Sequence, residues 1–293
     1  MNNYQKSKIL NEGKTKTIWS VKDNPALIII ENKKDITAFD DPEFTKQFER
    51  KAHHATTTTC RVFELLKSEG IPVAYLEQLS ATEFLAPKCE MIPLEVVARR
   101  YAVGSYLKRQ PDFTRPNGQP PYRFDELYTE FFLKTTKGQL VGKGGKILVS
   151  GLDAKKGEED PLIANPKGAE WKLLHPKKQP SDPECDLRKA VQSEYIVNIP
   201  GAMDKMEDIL KQTFLTLEDA WQSLYNYRLI DMKIEFGITT KGELMIADVI
   251  DNDSWRLRDA NWNELSKEAF RQGEELSEVE KKYGLVADLV EKF

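Results

Sequence analysis

The sequence contains few cysteines and no long apolar segment. Its three cysteines lie far apart and form no CxxC pair, so neither a zinc site nor a redox motif is indicated. A sparse, odd number of cysteines is typical of proteins in reducing compartments. No apolar run approaches the ~20 residues that a membrane-spanning helix needs, and residues 1–14 carry no apolar stretch of the kind found in secretory signals. We therefore expect a cytoplasmic chain that is not embedded in a membrane.

An excess of positive charge is also missing. The formal net charge is −4, so the chain as a whole does not attract nucleic acid, although local basic clusters can still hold small anions. Hydrophobic residues make up 40% and charged residues 31% of the 293 residues, which is ordinary for a globular protein. This composition argues against a disordered chain or a coiled coil, and the length suits one large domain or two packed lobes.

Apolar periodicity predicts a mixture of strands and helices. Segments rich in β-branched and aromatic residues are predicted to be strands, namely 16–21, 26–31, parts of 73–107, 228–236 and 243–250. Segments with apolar residues at helical spacing are predicted to be helices, namely 44–67, 203–224 and 261–292, the last with breaks near Gly273 and Gly284.

The stretch 134–190 is the most polar part of the chain. It is rich in lysine, glycine and proline, which predicts a long loop. A loop of this length within a compact domain is usually functional or mobile, and a surface insertion without a role is the alternative.

The segment 229–250 predicts a β-hairpin with one polar face. Because side chains alternate along a strand, one face is predicted to join the core, and it carries Ile230, Met232, Ile234 and Phe236. The opposite face carries Leu229, Asp231, Lys233 and Glu235. With a two-residue turn at Lys241-Gly242, Glu235 lies directly opposite Asp248, and a four-residue loop at 239–242 would leave Asp248 diagonal on the same face.

Two carboxylates that face each other across a strand pair repel unless a positive charge neutralises them. Lys233 supplies part of that charge. Magnesium is a better match, because it takes one or two protein carboxylates together with water and nucleotide phosphates. Glu235 and Asp248 are therefore candidate magnesium ligands, and an exposed polar face joined by salt bridges is the alternative.

Several basic residues are candidates for binding anions. Gly13-Lys14-Thr15-Lys16 is not a P-loop, because a strand follows where a P-loop needs a helix, but its lysines are placed to lean over a triphosphate from a sheet. Arg256 follows the predicted hairpin and is suited to clamp a phosphate or carboxylate. Solvated lysines are the alternative for the first group.

A second basic cluster surrounds a Gly-Ser pair. It comprises Glu95, Arg99, Arg100, Gly104, Ser105, Lys108 and Arg109. Such donors suit a small phosphorylated substrate, and an exposed basic strand end is the alternative.

These motifs together resemble the phosphoribosylaminoimidazole-succinocarboxamide synthase (SAICAR synthetase) family. The resemblance rests on four segments, namely Gly13 to Lys16, Pro93 to Ser105, Leu229 to Gly237, and Asp248 to Leu257. It is closest to the synthetase domain of the animal bifunctional enzyme, and it covers nearly the whole chain except 138–190. No carboxylase half is recognised in the chain.

The resemblance implies an α+β, two-lobed, ATP-grasp-like fold with antiparallel sheets and flanking helices. The expected lobes are 1–90, which binds the nucleotide, and 91–293, which holds the metal and substrate site and includes the insertion at 138–190. The implied reaction joins L-aspartate to carboxyaminoimidazole ribonucleotide with ATP and Mg²⁺, through an acyl phosphate, and gives SAICAR, ADP and phosphate. The family also implies a cytoplasmic enzyme of purine biosynthesis and a homodimer.

Residue roles follow from the same resemblance. The residues implied to bind the nucleotide and its magnesium are Lys14, Lys16, Met91, Glu235 and Asp248. Those implied to hold the imidazole nucleotide or aspartate are Arg99, Ser105, Arg256 and Asp253, and those implied to act at the reacting carboxylate are Asp231, Lys233 and Arg256.

The sequence departs from the family pattern after Lys134. The family usually reaches an Asp-Pro pair within about ten residues, whereas Asp160-Pro161 lies beyond an insertion here. Roles for Lys134 and Asp160 are therefore left open. Val103 and Arg258 also replace residues that are common in the family.

Two other classes of function compete with the ligase. A small-molecule kinase on a related fold is the first, and it would consume ATP without aspartate. A binding protein that kept the fold but lost catalysis is the second, and the intact charged residues Lys14, Glu235, Asp248 and Arg256 argue against it.

Overall fold

The computed structural model of the chain describes residues 4–37, 45–47 and 50–293. It divides into two compact units that are each discontinuous in sequence. The first unit contains residues 1–90, 215–229 and 237–293, and the second contains 91–214 and 230–236. The two expected lobes, 1–90 and 91–293, were defined by the ligands that they would bind. They therefore stay a prediction.

The first unit contains a five-stranded antiparallel sheet with the order β1-β2-β3-β7-β6. Its strands are β1 (Lys6–Glu12), β2 (Lys16–Val21), β3 (Asn24–Asn32), β6 (Glu77–Gln78) and β7 (Glu83–Pro87). The predicted hairpin of β2 and β3 is confirmed. Val21, Ile29 and Leu85 are buried together on one face of the sheet, as the apolar runs in these strands predict.

β1 was not predicted from the sequence. It pairs with β2 from Lys6 to Glu12, although most of its residues are exposed. Consequently Gly13 to Lys16 does not precede the first strand but forms the turn between β1 and β2, which is closed by a 2.9 Å hydrogen bond from the Gly13 N–H to the Lys16 carbonyl.

The first long helix begins later than the periodicity predicts. The predicted start at Phe44 lies outside the described residues. A short strand pair, β4 (Asp35–Thr37) and β5 (Thr45–Gln47), comes first, and α1 runs over Lys51–Ser68. The end near Gly70 is confirmed, with Gly70 at φ 75°, the left-handed conformation that commonly ends a helix.

The first unit also contains the C-terminal elements. These are β17 (Leu244–Ala247), β18 (Trp255–Arg258), α4 (Glu268–Arg271) and α5 (Leu276–Val290). The predicted break at Gly273 is confirmed by the gap between α4 and α5. The predicted break at Gly284 is wrong, because α5 continues through it. A Cβ there would lie 3.3 Å from the ring of His54, so this glycine permits close packing of α5 on α1.

The second unit is built on an antiparallel sheet with the order β15-β14-β13-β10-β9-β16. Its strands are β9 (Leu94–Tyr101), β10 (Arg123–Leu133), β13 (Leu162–Ile163), β14 (Glu170–Leu174), β15 (Asp186–Gln192) and β16 (Arg228–Thr239). β17, β18 and β8 (Cys89–Met91) also pair with β16. The remaining elements before residue 226 are α2 (Ser105–Arg109), β11 (Leu140–Val141), β12 (Ile147–Val149) and α3 (Ala202–Tyr225).

Two predictions of a buried face are confirmed in these elements. Along β16, all four residues of the predicted core face are at most 2% exposed, namely Ile230, Met232, Ile234 and Phe236. Along α3, the apolar stripe is fully buried at Met206, Leu210, Phe214, Leu217 and Trp221, whereas Leu224, which the same spacing placed in the core, is 47% exposed. Side chains repeat every 2.0 residues along a strand and every 3.6 residues along a helix, so apolar residues at these spacings lie on one side of the element. That side is the one that is buried.

The polar stretch 134–190 is not a continuous loop. It contains β11 to β14 and the start of β15, and three of these strands extend the large sheet. Apolar residues are sparse here, so the strands are held mainly by backbone pairing and by a few buried side chains such as Trp171 and Leu173. This pattern explains why periodicity alone did not reveal them.

Among the described residues, no helix combines the length and the apolar character that crossing a membrane requires.

Candidate active site

Arg99, Asp231 and Ser105 are brought together in the second unit. β9 and β16 are paired so that Arg99 lies directly opposite Asp231. The Arg99 guanidinium donates to Asp231 Oδ2 at 2.6 Å and to Ser105 Oγ at 3.3 Å. Gly104, at φ 59°, precedes α2 and sets the direction of Ser105. Three of the residues implied by the resemblance therefore form one contact network.

Arg99 has a further partner that no motif indicated. Its Nε donates to Glu130 Oε2 at 2.7 Å, and Arg109 contacts the other oxygen of Glu130. Lys108 is exposed and Arg109 is buried, so the alternative of an exposed basic strand end does not describe Arg109. The signal that could have identified Glu130 is a carboxylate beside an apolar run, Phe131 to Leu133, but no strand was predicted at β10.

Lys233 lies next to this network and is held by a carboxylate. Its ammonium group forms an ion pair with Glu95. Burial alone would lower the pKa of Lys233, but the negative charges of Glu95 and Glu235 outweigh it and raise the pKa above its ordinary value. Lys233 therefore stays protonated at neutral pH.

Glu235 forms an ion pair with Lys134, whose Nζ lies 2.5 Å from Glu235 Oε1. Thr135, the next residue, donates its backbone N–H to Asp160 Oδ1 at 2.7 Å. The Leu133 N–H donates to the Pro161 carbonyl at 2.9 Å. The Asp-Pro pair is thus adjacent to Lys134 in space, although an insertion separates them in sequence.

In the first unit, Lys16 forms an ion pair with Asp248. Asp248 adopts φ 75°, a conformation that residues other than glycine rarely adopt and that is concentrated at functional sites. Lys14 is exposed in the turn between β1 and β2, and Met91, at the end of β8, is 42% exposed. The roles implied for Lys14 and Met91 stay predictions.

Polar groups of the loop 248–254 bond to one another and to the backbone of Leu265. The Ser254 hydroxyl donates to the Val249 carbonyl at 3.2 Å, and the Asp253 N–H donates to Asp251 Oδ1 at 2.8 Å. The Asn252 side chain donates to the Leu265 carbonyl at 3.1 Å. These hydrogen bonds constrain the residues that follow Asp248.

Asp253 is surrounded by groups of the protein itself. Its carboxylate lies 3.1 Å from Lys267 Nζ and 3.6 Å from Lys51 Nζ, and it accepts a 2.5 Å hydrogen bond from the Tyr283 hydroxyl. Burial alone would raise the pKa of Asp253, but the two lysines hold it well below its usual range. These contacts give Asp253 a structural explanation, and its implied role in substrate binding stays a prediction.

Arg256 lies in β18 and contacts Glu268 Oε2 at 3.2 Å through Nη2. Arg271 contacts the same oxygen at 3.1 Å. Burial raises the pKa of Glu268, while these two arginines lower it, with a net lowering. Because Glu268 fixes Arg256 from one side, the guanidinium is oriented before any anion binds.

The turn of the predicted metal hairpin differs from both expected forms. The Thr239 N–H donates to the Glu243 carbonyl, and the Gly242 N–H donates to the Thr239 carbonyl, each at 2.9 Å. With Gly242 at φ 82°, this is a three-residue loop with a glycine bulge. Neither the two-residue turn nor the four-residue loop forms, so the turn no longer gives a reason to expect Glu235 opposite Asp248.

Glu235 and Asp248 belong to different compact units, and their joint binding of magnesium stays a prediction. Within the described ranges, no group of three or more His, Cys, Asp or Glu side chains is arranged to hold a metal ion. Mg²⁺ is commonly held by one or two carboxylates together with phosphate oxygens. Such a site has fewer than three protein ligands, so it differs from the kind of cluster just described.

The chain is similar to SAICAR synthetases over nearly its whole length. The family model described as SAICAR synthetase matches residues 9–140 and 173–288. The chain is 34% identical over 288 residues to phosphoribosylaminoimidazole-succinocarboxamide synthase of Chloroflexus aurantiacus, covering 96% of this chain and 95% of that one. The chain therefore belongs to the SAICAR synthetase family. The unmatched internal segment, 141–172, falls inside the predicted insertion.

Two further comparisons bear on length and fold. The chain is 34% identical over 292 residues to the probable multifunctional protein ADE2 of Caenorhabditis elegans, covering 97% of this chain but only 58% of that relative. The structure matches a SAICAR synthetase solved in complex with ADP, with a TM-score of 0.69, 25% identity and 96% coverage of each chain. The expected mixture of antiparallel sheets and flanking helices is thereby confirmed.

Proposed function

We propose that this chain is an ATP-dependent ligase that joins L-aspartate to the carboxylate of carboxyaminoimidazole ribonucleotide, giving SAICAR, ADP and phosphate in purine biosynthesis. The observation that carries the proposal is the 34% identity to the Chloroflexus aurantiacus synthase across 95% of that enzyme. The arrangement of Arg99, Ser105 and Asp231 supports it, because a buried arginine beside a hydroxyl is suited to hold an anionic nucleotide. In this proposal the fold is a two-lobed, ATP-grasp-like one.

The chemistry begins with activation of a poor electrophile. A carboxylate resists attack by an amine, and transfer of the ATP γ-phosphoryl group to its oxygen gives an acyl phosphate with a good leaving group. The aspartate amine then attacks the acyl carbon, the C–N bond forms, and the C–O bond to phosphate breaks. The protein mainly aligns the reactants and neutralises charge during phosphoryl transfer.

Lys233 and Asp231 would lie beside the reacting carboxylate. Since its pKa is raised, Lys233 is protonated at neutral pH and serves as a fixed positive charge, so it is not the base that takes the proton of the amine. Asp231 keeps the Arg99 guanidinium in place through their 2.6 Å contact. In this assignment Arg256 contacts an anionic substrate group with the edge of its guanidinium that faces away from Glu268.

The residues assigned to ATP and magnesium have suitable chemistry. Lys16 is the partner of Asp248 and Lys134 is the partner of Glu235. Each carboxylate is thus balanced by a lysine, and a triphosphate would draw those lysines towards its own oxygens. Glu235 and Asp248 would hold Mg²⁺, which would supply positive charge against the phosphates during the transfer. The unusual φ of Asp248 supports a ligand role for that residue.

Release of ADP is the first test. Purified protein is incubated with Mg²⁺, ATP and carboxyaminoimidazole ribonucleotide, with and without L-aspartate. We expect ADP release that depends on aspartate, and its loss in Glu235→Ala. Lys14→Met is expected to raise the KM for ATP, because it removes a charge from the proposed phosphate contact. The matched control is Lys22→Met, which changes an exposed lysine in the neighbouring turn between β2 and β3.

Each alternative function gives a different result. Release of ADP without aspartate, together with a phosphorylated product, would identify a kinase. No turnover with any combination of substrates would leave a binding protein as the best account. The homodimer and the cytoplasmic location implied by the resemblance stay predictions.

A further inference from the structure

Glu130 lies at the centre of a buried ion cluster in the second unit. Its side chain is 3% exposed, and each of its carboxylate oxygens contacts a different arginine, Arg99 and Arg109. Both arginines are almost as buried. A carboxylate at this depth is tolerated only where it is paired and hydrogen-bonded, so the three groups depend on one another.

The sheet explains why Glu130 reaches Arg99. Arg99 lies on β9, opposite Tyr128 on β10 and opposite Asp231 on β16. Glu130 is two residues beyond Tyr128, so it lies diagonally across from Arg99 on the same face. Glu130 holds the Nε edge of the guanidinium at 2.7 Å and Asp231 holds Nη1 at 2.6 Å. The guanidinium is therefore fixed from both neighbouring strands.

The charges of the cluster cancel. Arg99 and Arg109 carry two positive charges, and Glu130 and Asp231 carry two negative charges. Loss of the Glu130 charge would leave one buried positive charge without compensation, and it would free the Nε edge of Arg99 to rotate. An arginine recognises a planar anion through the fixed geometry of its donors, so rotation would misdirect the donors that face the ligand.

Arg109 connects this cluster to the inserted segment 138–190. Its Nη1 donates to the backbone carbonyl of Pro176 at 2.5 Å, while its Nη2 contacts Glu130. The guanidinium carbon also lies 5.6 Å from the centre of the Phe132 ring. The orientation of Arg109 is thus set by Glu130 and Phe132, which precede the inserted segment, and by Pro176 within it.

We propose that Glu130 is a positioning residue that orients Arg99 for the imidazole nucleotide, and that Arg109, anchored by the Pro176 carbonyl, holds Glu130 in turn. This inference rests on the proposed function, because it assumes that Arg99 faces that substrate. It gives part of the polar stretch a role, namely to supply the backbone carbonyl that orients Arg109.

The test compares Glu130→Gln with Glu126→Gln, which removes an exposed carboxylate from the same strand. KM and kcat are measured for carboxyaminoimidazole ribonucleotide at saturating ATP and aspartate, and KM is then measured for ATP. We expect Glu130→Gln to raise the KM for the ribonucleotide by about tenfold or more, the effect of losing one charge-assisted hydrogen bond. The KM for ATP should stay at the wild-type value.

A double variant separates positioning from stability. Arg109→Gln with Glu130→Gln removes one charge of each sign, so the buried cluster is neutral again. We expect its unfolding temperature to recover towards the wild-type value while the KM for the ribonucleotide stays high. This variant also serves for the kinetics if Glu130→Gln alone fails to fold.

Two results would overturn the inference, and they are distinguishable. If the wild type turns over and both Glu130 variants show the KM of Glu126→Gln, Glu130 has only a structural role. If the wild type shows no aspartate-dependent turnover, the proposed function fails, and the inference fails with it.

Discussion

Replacement of Asp253 by asparagine is expected to destabilise the protein strongly. The change keeps the shape of the side chain but removes the charge that Lys51 and Lys267 share. Lys51 is 2% exposed, so its ammonium group would lose the negative charge that makes its burial tolerable. The Tyr283 hydroxyl would also exchange a charged acceptor for a neutral one.

The size of the effect follows from the burial of Lys51. Removal of one partner from a buried ion pair typically costs about 3–5 kcal/mol, because the other charge is left uncompensated. The Asp251 carboxylate also interacts with Lys51 and partly replaces the lost charge, so the lower half of that range is expected. For a chain of this size, each kcal/mol shifts the unfolding temperature by about 2 °C, and the expected decrease is about 6–8 °C.

The effect should also depend on pH. The pKa of Asp253 is lowered in the folded protein, so its stabilising contribution is present above the unfolded pKa of about 3.9. That contribution is lost as the pH falls through the lower folded pKa. The difference in stability between wild type and Asp253→Asn should therefore be full at pH 7 and should shrink below about pH 4.

The assay is thermal unfolding followed by circular dichroism, with Asp208→Asn as a control on an exposed aspartate of α3. In Asp253→Asn with Lys51→Met, the most deeply buried positive charge is removed as well, and only the more exposed Lys267 is left without Asp253; much of the lost stability should therefore return. If Asp253→Asn unfolds at the temperature of the control, the reasoning is refuted. A raised KM for a substrate with unchanged stability would instead support the substrate-binding role that the family resemblance implies.

Two further predictions concern packing and reactivity. Gly237→Ala should destabilise the protein by about 1–3 kcal/mol, because its Cβ would lie 2.6 Å from the Cys89 Cβ and 3.2 Å from the Ala247 Cβ. The control is Gly13→Ala, whose Cβ meets only ordinary contacts. Equal free energies of urea unfolding for the two variants would contradict the prediction. Cys60 should resist iodoacetamide at pH 8 in the folded protein and should react in urea, because burial raises its pKa to about 12. Labelling is followed by mass spectrometry, and equal labelling rates in the two states would disprove this.

The structural features that were predicted best from the sequence are those that depend only on residues close together in the chain. The buried face of β16 and the stripe of α3 follow from local periodicity, which reports which side of an element meets the core. Where one residue decides between two structures, the prediction was weaker. Gly284 signals a break by its type, yet it serves the close approach of α5 to His54, which only the packed structure reveals.

The candidate site shows the same limit. Motifs pointed to Arg99 and Asp231, but their contact joins residues 132 positions apart, and such register is fixed by tertiary pairing. Glu130 and Lys51 were missed because a single charged residue in a strand or helix usually faces solvent. The predicted hairpin of β16 and β17 is present, but its turn was predicted wrongly, since turns of two, three and four residues all accommodate a Lys-Gly pair.

The discontinuity of the first unit has a consequence for how the protein is made. α1 packs on α5, and the contacts of Arg50 with Glu280 and of Arg61 with Glu291 each span 230 positions. At about 5–20 residues per second of synthesis, the apolar face of α1 waits roughly 10–50 s for its partner. The second unit can complete its sheet once β16 emerges from the ribosome. The side of α1 that packs on α5 is therefore covered only at the end of synthesis, long after the sheet that contacts its other side is complete.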